Sequence, residues 1–300
     1  MPKKITIIGG AGFIGTMLTA ELISRGYAVT VVDKNIPRTQ HNKAVYIQAD
    51  VSKNLEPSML EGSFGIVNLA GAPISKRWTT AYKEIIYNSR INTTKNIVTA
   101  LSLLKEKPSV LVSASAVGYY AGQNEKNIFE DSPAGTDFLA HVCSAWEKEA
   151  SNAEALGIRT VIIRTSNVLG PGGLLASLTP LFKKGLGGYF GSGKQYMPWV
   201  HWKDILGIYI FALEHDISGP HNTAAPEAVS QKTLFTAFAR SLHVSLVWPI
   251  PYFFGRIVVG EFASALIISQ KVDSTKIVEE GYVFQAPTLN EAFSDGILRL

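Results

Sequence analysis

Residues Ile5 to Gly15 read Ile-Thr-Ile-Ile-Gly-Gly-Ala-Gly-Phe-Ile-Gly, and this stretch decides the fold. A run of β-branched residues reads as a strand, and it enters glycines spaced G-x-G-x-x-G from Gly10 and G-x-x-G-x-x-G from Gly9. An amphipathic segment from Ile14 to Arg25 follows and stops at Gly26, a helix with a glycine stop. A strand, a glycine turn and a helix in that order aim backbone N–H groups and the positive end of a helix dipole at an anion. One glycine permits the tight turn, a second lets the backbone approach a pyrophosphate, and a third lets helix pack on strand.

Outward from this turn the pattern repeats. Strands are expected at Ile5 to Ile8, Val29 to Val32, Val45 to Gln48, Ile66 to Leu69, Ser109 to Ser113 and Thr160 to Arg164. Between them lie helical segments at Thr80 to Lys105, which ends before Pro108, and Phe138 to Leu156, which ends at Gly157. Strands alternating with helices predict an α/β chain, a Rossmann-type doubly wound parallel sheet. The nucleotide domain is placed at residues 1–170, its sheet completed by a later strand near 220. Beyond it the five glycines between Gly185 and Gly193 break the pattern, and residues 171–300 are expected to form a small α+β substrate lobe. A C-terminal helical region should begin at about 249, after the Pro249 and Pro251 break.

Asp33 ends the second strand, where a carboxylate can accept hydrogen bonds from the ribose hydroxyls of an adenosine. It would repel a 2′-phosphate, so NAD(H) is favoured over NADP(H), although Lys34 and Arg38 are close enough to work the other way. A strand-end aspartate that only caps a turn is the plainer alternative. Asp50 and Val51 after the third strand are candidates for the adenine, with turn capping again the competing reading.

Composition narrows the rest. The net charge is +4, but the 28 Lys and Arg residues are scattered, so nucleic acid is not the expected partner and a small acidic ligand is. The single cysteine, Cys143, excludes an internal disulfide and a cysteine metal site, and it fits a reducing, cytoplasmic setting. Lys3 and Lys4 before an apolar run imitate a signal peptide, but glycines interrupt that run and a strand, turn and helix fit it better. Glu261 splits the best candidate membrane segment, Ile257 to Ile268, so a soluble chain with no metal is expected.

GGAGFIG at Gly9 to Gly15, the Asp50-Val51 pair, NLAG at Asn68 to Gly71 and SASAVGYY at Ser113 to Tyr120 together resemble the extended short-chain dehydrogenase/reductase superfamily. AGAPISKRW, NSRINTT, WEKEA, GLGGYFGSGKQYMPWVHWKD, GRIVVGE and EEGYVF look like its atypical epimerase-like subgroup, which carries a short C-terminal domain of unknown function. The resemblance covers essentially the whole chain. It implies a seven-stranded NAD(P) domain with a small substrate lobe, in a family commonly labelled nucleoside-diphosphate-sugar epimerases. The small-molecule substrate could then be a nucleotide sugar, and the assembly to expect is a homodimer joined through the helices of Thr80 to Lys105 and Phe138 to Leu156. The implied nucleotide seat takes in Gly9, Gly10, Gly12, Phe13, Ile14, Gly15, Asp33, Lys34, Asp50, Val51, Leu69, Ala70, Gly71, Arg90 and Ser113.

In the superfamily a serine orients the substrate oxygen, a tyrosine exchanges a proton with it, and a lysine lowers the tyrosine pKa. Ser115 matches the serine. The tyrosine and lysine positions fall on Leu139 and Cys143, and the structural asparagine falls on Arg90. Tyr119, near Ser115, is the candidate proton donor, with stacking on a ligand as its alternative. Without a lysine a tyrosine serves better as an acid, which favours carbonyl reduction. Arg77, Trp78, Tyr120, Lys194, Gln195, Tyr196, Trp199 and His201 are expected to line the substrate mouth, though Trp199 could instead be core. His201 with Asp204 could form a base oriented by a carboxylate, or Asp204 could merely cap a helix. The function expected is hydride transfer between nicotinamide and a small carbonyl or carbinol, by an epimerase or reductase. The alternative is a dinucleotide-binding sensor or scaffold without turnover.

Overall fold

Seven parallel strands form the central sheet, and its inner strands run nearly apolar on both faces. In a computed structural model, which describes residues 2–37, 39–122, 125–245, 247–253, 261 and 267–294, they are β1 (Lys4–Ile8), β2 (Ala28–Asp33), β3 (Ala44–Gln48), β4 (Gly65–Asn68), β5 (Val110–Ala116), β7 (Arg159–Thr165) and β11 (Gly219–Thr223). Arg38 and most of GRIVVGE lie outside the described residues. The spatial order is β11-β7-β5-β4-β1-β2-β3. Successive side chains point to opposite faces. Ile5, Ile7, Val29, Val31, Val110 and Val112 therefore meet Leu18 and Leu22 of helix α1 (Phe13–Ser24) and the apolar face of α5 (Trp202–Glu214). Ile8, Val32, Ile66 and Leu111 meet Ile97 and Leu101 of α2 (Thr80–Leu103) on the other face.

Both long helices beside the site start on side-chain caps. Thr79 accepts the Tyr82 N–H ahead of α2, and Asp137 accepts the Ala140 N–H ahead of α3 (Phe138–Ser151). Helix α3 ends earlier than Leu156, because a 3-10 turn at Glu154–Leu156 leads to Gly157 at φ 75°. The chain leaves β1 toward β2 and β3 on one side, while β4, β5, β7 and β11 extend the sheet on the other. The strand order reverses between β1 and β4, and in open α/β sheets the carboxyl edge at such a switch point is where ligands bind.

The second lobe has its own core of Leu175 and Phe182 from α4 (Gly173–Lys183), Phe235 and Phe238 from α6 (Gln231–Ser241), and Trp199. Short parallel pairs frame it, β8 (Asn167–Leu169) with β10 (Trp199–His201) and β9 (Gly188–Phe190) with β12 (Trp248–Ile250). A further pair joins β6 (Asn127–Ile128) to β13 (Lys271–Val272).

The strand expected near 220 is β11, paired with β7. Later residues share the first core as well: α5 covers the main sheet, and Ile277, Tyr282 and Phe284 pack in the same cluster. The helical region expected from about 249 contributes, among the described residues, strands β12 and β13 and the short helices Thr275–Glu279 and Leu289–Ser294. No helix of the described residues is long and apolar enough to cross a membrane.

Candidate dinucleotide and substrate site

Each glycine of the turn has a different neighbour. Gly9 has φ +80°, and a Cβ there would meet the Ala70 backbone nitrogen at 2.6 Å. At Gly10 a Cβ would meet Val31 at 2.8 Å, and at Gly15 it would meet the Gly10 Cα at 2.5 Å. These three are required by the chain's own packing. Gly12 is not: its backbone is extended at φ −78° and ψ 178°, which any residue adopts, and a Cβ would find only the Gly9 carbonyl, at 3.7 Å. Gly12 is also the N-cap of α1, and no side chain caps that helix end. Phe13 turns its ring under the loop of Gly170 and Gly172, so the turn rests on the second lobe. Ile14 packs against the main core.

Asp33 stands at the far side of the turn. Its carboxylate accepts the Ala11 N–H at 3.0 Å and the Asn35 N–H at 2.9 Å, so it also fixes the turn. Asp50 accepts the Ser52 hydroxyl at 2.6 Å and pairs with Lys34 at 3.2 Å. The Ser52 hydrogen bond first, opposed by partial burial and helped by Lys34, holds the Asp50 carboxyl below its usual range. Leu69, Ala70 and Gly71 leave β4 beside Gly9, as the switch point requires.

Three of the residues expected at the cofactor have side chains engaged within the protein. Val51 and Ser113 turn their side chains into the interior, Val51 among Leu55, Leu60 and Ile97, and Ser113 against the Asn68 amide at 3.4 Å. Arg90 lies behind the loop after β4: it donates to the carbonyls of Ala72 and Ile86, both at 3.1 Å, and a Cβ on Gly71 would meet its guanidinium at 2.8 Å. Arg90 supports the backbone that supports Gly9.

Strand β5 runs past the end of β4, whose last residue Asn68 faces Ser113, so Ser115 lies in strand, opposite Arg164. The Ser115 hydroxyl donates to Glu147 Oε1 at 2.6 Å. Arg164 grips the same carboxylate with Nε at 2.9 Å and Nη2 at 2.8 Å, a two-pronged charged contact. Burial opposes the Arg164 charge, but Glu147 outweighs it and its pKa is raised. The Arg164 guanidinium lies 3.7 Å from the centre of the Tyr119 ring, a cation–π contact that sets this half-buried tyrosine. Leu139 and Cys143 of α3 pack on Gly118 beneath it. Burial first, then the Glu147 charge, pushes the Cys143 thiol up to about 12.

The expected substrate mouth is thinned. Tyr120 is fully buried: its hydroxyl donates to Asn222 at 2.7 Å and accepts from Arg164 at 2.6 Å. Burial, opposed by Arg164, pushes its pKa up to about 12. Trp199 sits in the second core with its indole N–H on the Glu227 carbonyl, and Trp78 packs with Phe138 with its own on Ile74. His201 is buried at the start of α5. Asp204 does not orient it: that carboxylate accepts the N–H groups of Gln285 and Ala286 at 2.7 and 3.1 Å and the Tyr282 hydroxyl at 3.1 Å. Gln195 turns its amide onto the Phe190 carbonyl and Gln231. Arg77 and Lys194 are exposed and Tyr196 is half-buried beside Lys271.

Glu147, Arg164 and Gln270 were not singled out by the sequence reading. Gln270 donates to the carbonyls of Val117 and Tyr120 while its N–H meets the Tyr196 carbonyl, tying the loop after β5 to the second lobe. The available signal was Arg164, the second arginine of β7, which directly follows the apolar Val161 to Ile163 and is a charge that has to find a partner when buried.

A doubly wound sheet with a glycine turn at its switch point and an acidic residue closing β2 defines a dinucleotide-binding protein of the short-chain dehydrogenase/reductase type. The chain belongs to the NAD dependent epimerase/dehydratase family, whose model matches residues 5–225, and a domain of unknown function, DUF1731, matches residues 250–295. It is 36% identical over 294 residues to the epimerase family protein YfhF of Bacillus subtilis, with 97% of each chain covered. The crystal structure of human epimerase family protein SDR39U1 with NADPH is 30% identical, with a TM-score of 0.86 over 98% of this chain and 99% of that one. UDP-glucose 4-epimerase of Thermotoga maritima, solved with UDP-glucose, shares the fold at 18% identity, with a TM-score of 0.80 over 98% and 97% of the chains.

Proposed function

We propose that this chain is a nicotinamide-dinucleotide-dependent oxidoreductase or epimerase-like enzyme acting on a small carbonyl or carbinol. The observation that carries the reading is Gly12. It has no conformational or packing need to be glycine, yet it stands at the uncapped N-terminus of α1, where a pyrophosphate would lie. The human relative with NADPH, matched along the whole chain, supports it. When bound, the nicotinamide supplies the hydride acceptor or donor; this chain's residues bind, orient and exchange protons.

Gly9 to Gly15 would hold the pyrophosphate, Asp33 the adenosine ribose, and Leu69 to Gly71 the middle of the dinucleotide. Asp33 favours NAD(H), and Lys34 is engaged with Asp50. NADH should bind more tightly than NADPH, and Asp33→Ser should narrow the gap by about 1 to 2 kcal/mol. A wild type that prefers NADPH would show that cations near the turn outweigh Asp33.

Ser115 would meet the reacting oxygen, with Tyr119, held on Arg164, as the group that exchanges its proton. Arg77, Tyr196 and Lys194 would meet an anionic substrate such as a nucleotide sugar. Leu139 and Cys143, where the superfamily has tyrosine and lysine, favour a second reading, a dinucleotide sensor without turnover. Incubating the protein with NADH and a panel of ketones, and in parallel with NAD+ and a panel of carbinols and nucleotide sugars, separates the two. Turnover that falls roughly 100-fold in Tyr119→Phe with unchanged NADH affinity supports the enzyme. NADH binding with no turnover on any member supports the sensor.

A further inference from the structure

The polarity of Ser115 is set by its neighbours. A carboxylate offers no proton when ionised, and Glu147 is gripped by Arg164 through both oxygens, so the short Ser115 contact has one direction: Oγ–H donates and Glu147 Oε1 accepts. Ser115 has a single proton. With that proton committed, its oxygen retains lone pairs only; the neighbouring Cys143 thiol, kept protonated, can donate into one of the two and leaves the other open. A carbonyl oxygen placed against Ser115 would meet lone pairs with lone pairs, or would have to break a hydrogen bond to a charged group. A hydroxyl placed there would donate into the free lone pair.

We propose that Glu147 is a positioning residue that fixes the Ser115 hydroxyl as an acceptor, so that this point of the site takes a carbinol, or another O–H or N–H donor, in preference to a carbonyl. The inference deepens the function proposed above and rests on its assignment of Ser115 to the substrate site. It runs against the reducing direction expected from an unassisted tyrosine, because the serine beside that tyrosine is matched to the alcohol. The ion pair does two jobs through one cation: the plane of Arg164 orients Glu147, and its face orients Tyr119.

A matched pair of probes, cyclohexanol and cyclohexanone, tests this by ligand-observed NMR on the full chain, with and without NADH. The alcohol should bind about tenfold more tightly than the ketone, or more. Ser115→Ala should make the two equal. Glu147→Gln should narrow or reverse the preference, because a glutamine amide can donate to Ser115 Oγ and release its proton toward the ligand. The alcohol-to-ketone ratio is a quantity that a merely structural ion pair would not move, and Ser115→Ala keeps the test in force where Glu147→Gln fails to fold. A ketone that binds as well as the alcohol, binding of neither probe, or a preference that survives Ser115→Ala would overturn the inference. NADH fluorescence in the same samples reads the cofactor independently: failed loading would overturn the dinucleotide assignment alone.

Discussion

Gly9 and Gly12 look alike in the sequence and are different in kind. Gly9 is bound by the chain, because its left-handed φ and its contact with Ala70 both exclude a side chain. Gly9→Ala should destabilise the protein by about 2 kcal/mol or more, through αL strain and displacement of the loop after β4, read as a lower melting temperature. Cys143 is legible the same way. With its thiol pushed up to about 12, it carries no appreciable thiolate at pH 8 and should not react with a disulfide reagent in the folded protein, while one thiol titrates on unfolding. Fast modification of the native protein at that pH would contradict the burial assigned to α3.

At the scale of elements, the strands and long helices of the first half were legible because both faces of the sheet are buried and the stops are glycine and proline. What was not legible was which polar groups pair across elements. His201 and Asp204 sit three residues apart and looked like a dyad, yet Asp204 belongs to the C-terminal segment. Ser115 and Glu147 are brought together by the packing of α3 on β5, which no local spacing reveals. Trp78, Tyr120 and Trp199 are buried, and because aromatic residues suit mouths and cores alike, residue type does not separate the two places, as the core alternative for Trp199 reflects. Asp204→Ala tests this pairing: it leaves the buried Ala286 N–H and the part-buried Gln285 N–H without their acceptor and should cost roughly 2 kcal/mol. Hydrogen exchange should rise first at Gln285 and Ala286. Unchanged protection there would show that the segment is held by Tyr282 and Phe284 packing alone.

Over the whole molecule, the two cores meet at the candidate site. Phe13 reaches from the glycine turn under Gly170 and Gly172, Gln270 ties the loop after β5 to Tyr196, and Asp204 ties α5 to the C-terminal residues. This arrangement leaves the loops after β1, β4 and β5 on one edge, the place where a dinucleotide and a substrate carbon would meet. A nicotinamide dinucleotide seated on Gly9 to Gly15 would depend on Gly12 above its neighbours, because the protein's own packing does not need that glycine. Calorimetric titration of the wild type and Gly12→Val with NADH and NADPH, alongside thermal unfolding, should show binding in the wild type, NADH the tighter, and its loss in a variant that melts at nearly the same temperature. A folded Gly12→Val protein that binds either dinucleotide as well as the wild type, or a wild type that binds neither, would contradict the account.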